Sequence, residues 1–224
     1  MPHRTRIKIC GLTRPADVAA ACEAGADAIG LVMYPPSARA VTAERARELA
    51  TVIPAAVTPV LLFVNAQPQA IEQALRAVPN ATLQFHGDES PEVCQRWGRP
   101  YWRAVRIPAG AGADTVNLLE WDEQFASAQA LLLDAHVQGY GGSGQRFNWR
   151  GFDWSQPALN ASRRVVLSGG LTPANAADGV RLVRPWAVDV SSGVEDAKGI
   201  KNANLMHQFV AAVHAAHHPS QNAS

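Results

Sequence analysis

Five side chains with chemical capacity stand at or near the ends of short apolar runs. They are Cys10 after Ile7-Lys8-Ile9, Arg39 in the loop that follows Tyr34-Pro35-Pro36, His86 after Leu83-Gln84-Phe85, Asp134 after Leu131-Leu132-Leu133, and Asp189 within Ala187–Val190. A thiol becomes a base only as the thiolate, a form that nearby positive potential favours. A carboxyl group across a pocket from it could give a proton to one atom of a sugar while the thiol takes one from another. That division of labour is the work of an aldose–ketose isomerase. A guanidinium fixed at the mouth would suit bidentate binding of a carboxylate. His86 and Asp189 are candidate substrate contacts, with hydrogen bonds to loop backbone as the alternative role. Cys22 and Cys94 fall in helical stretches and read as small core hydrophobes.

Two glycine turns complete the set. Ser168-Gly169-Gly170-Leu171 and Ser191-Ser192-Gly193-Val194 follow the last two apolar runs, about one repeat apart. Glycines admit close backbone approach and free N–H groups converge on an anion. The pair therefore predicts a phosphate cup built on Gly169, Gly170, Ser191, Ser192 and Gly193. The corresponding turns of the first half, Val64-Asn65-Ala66 and His86-Gly87-Asp88, have no such pattern, so one phosphate is expected rather than two. No two histidines stand at metal-ligand spacing at these ends, and no metal is expected.

The elements that must position these groups alternate throughout. Strands are predicted at Ile7–Cys10, Ala28–Val32, Val60–Val64, Thr82–His86, Trp102–Ile107, Ala130–Asp134, Val165–Ser168 and Ala187–Val190. Helix-period stretches lie between them, such as Ile71, Ala74, Leu75 and Val78 after Pro68. Thr13 and Thr172-Pro173 read as helix starts, and Met206, Phe209, Val210 and Val213 as the last apolar stripe. The helices after strands five and six, within 114–127 and near 153–159, lack a clean period. Eight strands with eight helices predict an α/β fold, a single-domain (β/α)8 barrel, whose site lies at the C-terminal ends of the strands. The barrel is expected over residues 1–216, with a polar, frayed tail at 217–224 and a glycine-rich loop at 135–148 that could serve as a lid.

With 47% hydrophobic residues in 224, there is material for a sizeable core. A formal net charge of +1 and no long basic run argue against nucleic acid or an anionic membrane as partner. Three dispersed cysteines without CxxC spacing suggest a reducing compartment. The first residues lack a signal-peptide core and no stretch reaches membrane-spanning length, so the cytoplasm is expected.

Lys8-Ile9-Cys10-Gly11-Leu12-Thr13 resembles the opening motif of the phosphoribosylanthranilate isomerases of tryptophan biosynthesis. The similarity continues, in order, through residues 25–30, Ser37-Ala38-Arg39-Ala40-Val41, Leu83-Gln84-Phe85-His86-Gly87, Leu132-Leu133-Asp134-Ala135, residues 141–144 and the two glycine turns to Glu195, covering about residues 6 to 213. The resemblance implies a cofactor-free Amadori rearrangement of a small sugar-phosphate substrate by a monomer or homodimer. By the same token, Asp134 would protonate the ribose ring oxygen, Cys10 would remove the C2′ proton, Arg39 would hold the anthranilate carboxylate, and the glycine turns the 5′-phosphate. Ala38, Asn148, Asn202 and Asn204 depart from the family's usual residues, and none is a proposed catalytic group. The alternatives are the aminoaldose isomerase of histidine biosynthesis, which takes two phosphates and paired aspartates, and a non-catalytic barrel that has kept the cup.

Overall fold

The structure, a computed structural model, describes residues 4–108, 116–136, 148–154 and 164–217. Eight strands close into a barrel in chain order: β1 (Arg6–Cys10), β2 (Ala28–Val32), β3 (Thr58–Phe63), β4 (Thr82–Phe85), β5 (Tyr101–Pro108), β6 (Ala130–His136), β7 (Val165–Leu167) and β8 (Ala187–Val190). All neighbours run parallel, and β1 meets β8 in the register Arg6↔Ala187 to Ile9↔Val190. Seven α-helices lie among the described residues: α1 (Pro15–Ala24), α2 (Ala43–Ala50), α3 (Pro68–Ala77), α4 (Pro91–Gln95), α5 (Leu118–Gln124), α6 (Ala176–Val183) and α7 (Ala203–Ala215). A short antiparallel hairpin, β9 (Glu195–Ala197) and β10 (Ile200–Lys201), follows β8.

The period-two alternation of each strand divides its side chains between two environments. Ile7, Ile9, Leu61, Phe63, Leu131, Leu133 and their equivalents join one continuous core with the helices. The alternate positions fill the barrel. Trp102, Ala104, Ala130, Leu132, Val166 and Ala187 pack together near the strand starts, and Cys10, Val32, Leu62 and Val64 near the strand ends. Lys8 and Cys10, two apart on β1, therefore share the inward face.

Local signals set most helix ends. Proline occupies the first turn of α1, α3 and α4, Thr42 accepts from the Arg45 N–H to cap α2, and Asn202 does the same for α7 from Leu205. Two expected starts are corrected. Thr13 does not begin α1, which starts at Pro15; its hydroxyl donates instead to the Gly199 carbonyl at 2.7 Å. Thr172-Pro173 lies one turn ahead of α6, which starts at Ala176: the Thr172 carbonyl accepts from the Asn175 and Ala176 N–H groups at 3.2 and 3.0 Å, while the Asn175 side chain accepts from the Thr172 N–H at 2.8 Å and donates to the Gly170 carbonyl at 3.0 Å. Residues 172–175 thereby form a turn that joins the glycine turn to the helix. β3 ends at Phe63, β4 at Phe85 and β7 at Leu167, so Val64, His86 and Ser168 are the first residues past their strands. β6 runs two residues beyond Asp134.

The helix after β5 is α5, within the expected 114–127. After β6 a single 3-10 turn, Trp149–Gly151, is described; most of the helix expected near 153–159 and of the glycine-rich loop at 135–148 lie outside the described residues, as does the tail after His217. His217 itself accepts from the Thr5 N–H at 3.2 Å, tying the end of α7 to the start of β1.

Candidate active site

Cys10, Arg39, His86, Asp134, Asp189, Gly169, Gly170, Ser191 and Ser192 all line one cavity at the C-terminal ends of the strands. Gly193, expected beside them, is not on the cavity wall. It stands behind, where an added Cβ would lie 1.9 Å from the Leu171 carbonyl oxygen. Space for the thiol is made by β2: Gly30 pairs with Cys10, and a Cβ there would fall 2.5 Å from Sγ.

On the acid side, Asp134 Oδ2 lies 3.0 Å from His86 Nε2, and His86 Nδ1 lies 3.1 Å from the Gln84 side-chain nitrogen. An amide NH2 only donates, so Nδ1 is the acceptor and the imidazole proton sits on Nε2, where it donates to Oδ2 of Asp134. His86 thus holds one carboxyl oxygen of Asp134, and Oδ1 is the one available to a ligand. The backbone alternative for His86 is replaced by this side-chain chain.

On the base side, the buried Lys8 ammonium donates to Asp189 Oδ1 at 2.8 Å and lies 5.9 Å from the Trp102 ring centroid. Burial alone would lower the Lys8 pKa, but Asp189, with help from Cys10, more than offsets it and leaves it raised. Burial pushes the Cys10 thiol up, with Lys8 and Lys201 pulling down and Asp189 adding to the rise. The thiol is therefore the resting form of Cys10 at neutral pH. Cys94 is a core residue, its thiol pushed up to about 12 by burial.

The glycine turn after β7 places Gly169 at φ 78° and Gly170 at φ 66°, a conformation that favours glycine. A Cβ on Gly169 would also fall 2.6 Å from the Ala135 backbone nitrogen. The two turns touch through Gly193 and Leu171, so their spacing depends on the missing side chain. Gly193→Ala is expected to force them apart; overpacking of about 1–3 kcal/mol, where it falls on the bound geometry, corresponds to about 5–150-fold in affinity. Competition by inorganic phosphate would measure it, and an inhibition constant unchanged within about twofold would show that turn contact does not set phosphate affinity.

Arg39 is buried and engaged by a residue that sequence reasoning did not single out. Its Nε and Nη2 donate to the two oxygens of Glu195 at 2.8 and 2.7 Å, and Lys201 Nζ donates to the same carboxylate at 2.7 Å. The Lys201 ammonium also donates to the Ser191 carbonyl at 3.0 Å and hydroxyl at 3.3 Å, and that hydroxyl donates to the Cys10 carbonyl at 3.0 Å. Burial would raise the Glu195 pKa, but Arg39 and Lys201 hold it below the usual carboxylate value.

A closed (β/α)8 barrel thus gathers a thiol, a carboxyl group and two glycine turns into one cavity at the C-terminal ends of its strands, the place where barrel enzymes carry their active sites. The family described as N-(5'phosphoribosyl)anthranilate (PRA) isomerase matches residues 7–212. The chain belongs to that family, isomerases of tryptophan biosynthesis. An N-(5'-phosphoribosyl)anthranilate isomerase of Leptothrix cholodnii is 58% identical over 223 residues, covering 100% of this chain and 97% of that one. The crystal structure of the Thermotoga maritima phosphoribosyl anthranilate isomerase superposes with a TM-score of 0.81 at 36% identity, over 94% of this chain and 99% of that chain. A further phosphoribosyl anthranilate isomerase structure, in complex with reduced 1-(o-carboxyphenylamino)-1-deoxyribulose 5-phosphate, gives 0.78 at 33%, again over 94% and 99%.

Proposed function

We propose that this cavity carries out the Amadori rearrangement of N-(5′-phosphoribosyl)anthranilate by general acid and base catalysis, with Asp134 as acid and Cys10 as base. Asp134, as the carboxylic acid, passes its proton to the ring oxygen, the C1′–O bond breaks, and the lone pair of the anthranilate nitrogen forms the iminium. Cys10, as the thiolate fraction, then removes the C2′ proton, and the C–H electron pair becomes the C1′=C2′ bond as the nitrogen recovers its lone pair. The enolamine ketonises to 1-(o-carboxyphenylamino)-1-deoxyribulose 5-phosphate. The substrate's own nitrogen is the electron sink, and return of a proton from Cys10 to Asp134 through solvent resets both groups.

The observation that carries this reading is the placement of Cys10 on β1 and Asp134 on β6 on the wall of one cavity that both glycine turns also line. The 5′-phosphate is assigned to the backbone N–H groups around Gly169, Gly170, Ser191 and Ser192, and the anthranilate carboxylate to Arg39. Asp189, half of the Lys8 pair and on the cavity wall, is assigned to the ribose hydroxyls. The protein acts as a monomer or homodimer in the cytoplasm; no helix among the described residues is long and apolar enough to cross a membrane.

The test is loss of anthranilate-type fluorescence when the protein, without added metal, meets phosphoribosylanthranilate generated in situ. Decay that depends on the protein supports the reading. Absent decay, with phosphate esters still binding, points to a non-catalytic barrel. Arg39→Ala is expected to raise KM about 10–100-fold, since charge-assisted hydrogen bonds contribute about 1.5–3 kcal/mol each. Steady-state kinetics check this, and a KM unchanged within error removes Arg39 from the carboxylate.

A further inference from the structure

We propose that Glu195, itself held by Lys201, is a positioning residue that fixes which edge of the Arg39 guanidinium meets the substrate's carboxylate. The inference rests on the assignment of Arg39 to that carboxylate and adds what makes its geometry selective.

A guanidinium presents five N–H groups in a rigid plane. Glu195 takes the Nε and Nη2 side in a bidentate pair, with N···O distances of 2.8 and 2.7 Å. A second carboxylate is therefore met end-on, by Nη1 and the remaining N–H of Nη2. The stem of Arg39 is confined as well: a Cβ on Gly11 would lie 2.5 Å from Arg39 Cδ, so the side chain crosses that glycine with no room to spare. An arginine clamped at head and stem meets a planar anion in one orientation, and less freedom is lost when the ligand arrives.

Glu195 owes its own position to contacts other than Arg39. It pairs with Lys201 across the β9–β10 hairpin, whose Lys201 N–H donates to Asp17 Oδ2 at 3.2 Å and whose Gly199 carbonyl accepts from Thr13 at 2.7 Å. The hairpin is thus fastened to α1 and to the loop after β1, and it brings a fixed carboxylate to Arg39 rather than following it. Three buried charges that sum to +1 are an expensive way to gain stability. Their arrangement instead leaves one net positive charge, correctly aimed, facing the cavity that Arg39 lines.

The experiment compares two ligands: reduced 1-(o-carboxyphenylamino)-1-deoxyribulose 5-phosphate and the same molecule built on aniline, which lacks the carboxylate. The ratio of their Kd values, measured by calorimetry, reports carboxylate recognition alone. Arg39→Ala should collapse the ratio toward one. Glu195→Gln and Glu195→Asp, which keep Arg39 but lose the bidentate geometry, should each lower it about tenfold while leaving the aniline ligand's Kd within about twofold. Glu195→Asp retains the charge that Lys201 requires and decides the matter if the Gln variant does not fold. A wild-type ratio in the Glu195 variants, with Arg39→Ala collapsed, overturns the positioning role and leaves the carboxylate assignment standing. Equal weakening of both ligands, with a lower Tm, makes Glu195 a structural residue only. An unchanged ratio in Arg39→Ala removes the carboxylate assignment and the inference together.

Discussion

Cys10→Ala is expected to lower kcat by about 10²–10⁴-fold, the range in which a positioned base contributes, with little change in Tm or in KM. Alanine is close in size to the buried thiol, and Lys8, which also reaches the thiol, keeps its ion pair with Asp189, so the loss isolates proton abstraction. The pH profile makes the same point independently. Burial raises the Cys10 pKa above the ordinary thiol value, against the pull of Lys8 and Lys201. Below that pKa the thiolate fraction grows up to about tenfold per pH unit, so wild-type kcat/KM should climb through the alkaline range and the alanine variant should lose this limb. Turnover within about threefold of wild type would strip Cys10 of its role.

Asp134→Asn is expected to cost about 10²–10⁴-fold in kcat as well, for a different step. The amide is isosteric and its oxygen can still accept from His86 Nε2, so the hydrogen bond at 3.0 Å survives and the fold with it. What is lost is the proton for the ring oxygen. Substrate deuterated at C2′ separates the two variants. Ring opening should limit Asp134→Asn and erase the isotope effect, whereas in Cys10→Ala the proton transfer limits and the effect should be fully expressed. An undiminished isotope effect in Asp134→Asn would move Asp134 away from ring opening.

The architecture was legible because most strand runs are bounded by helix-period stretches, the exceptions following strands five and six, and the count of eight is all that closure requires. The groups now proposed for the chemistry were legible because a barrel exposes its strand ends, and Cys10, Asp134 and the two glycine turns sit there. What was not legible lies in long-range pairing. Lys8 reads as an ordinary charge inside an opening motif, and only the barrel shows that it faces inward two residues below Cys10. That signal was available in principle, since inward positions of β1 alternate. Glu195 and Lys201 offered none: a hairpin of polar residues after the last strand looks solvated until the loop carrying Arg39 is folded against it. The early helix start at Thr172-Pro173 has a similar cause, because the proline marked a turn that leads into α6 while Asn175 ties it back to Gly170.

The Lys8–Asp189 pair spans 181 residues of chain and lies on the seam where the first and last strands meet. Loop-closure entropy makes such a contact among the last a folding chain can afford. Without that contact the Lys8 ammonium would have to enter a dry interior with no carboxylate partner, so closure of the strands around it is favoured only once β8 brings Asp189. A nascent chain still lacking β8 would thus be held from closing prematurely by its own first strand, and the pocket would exist only in molecules whose two ends have already found each other.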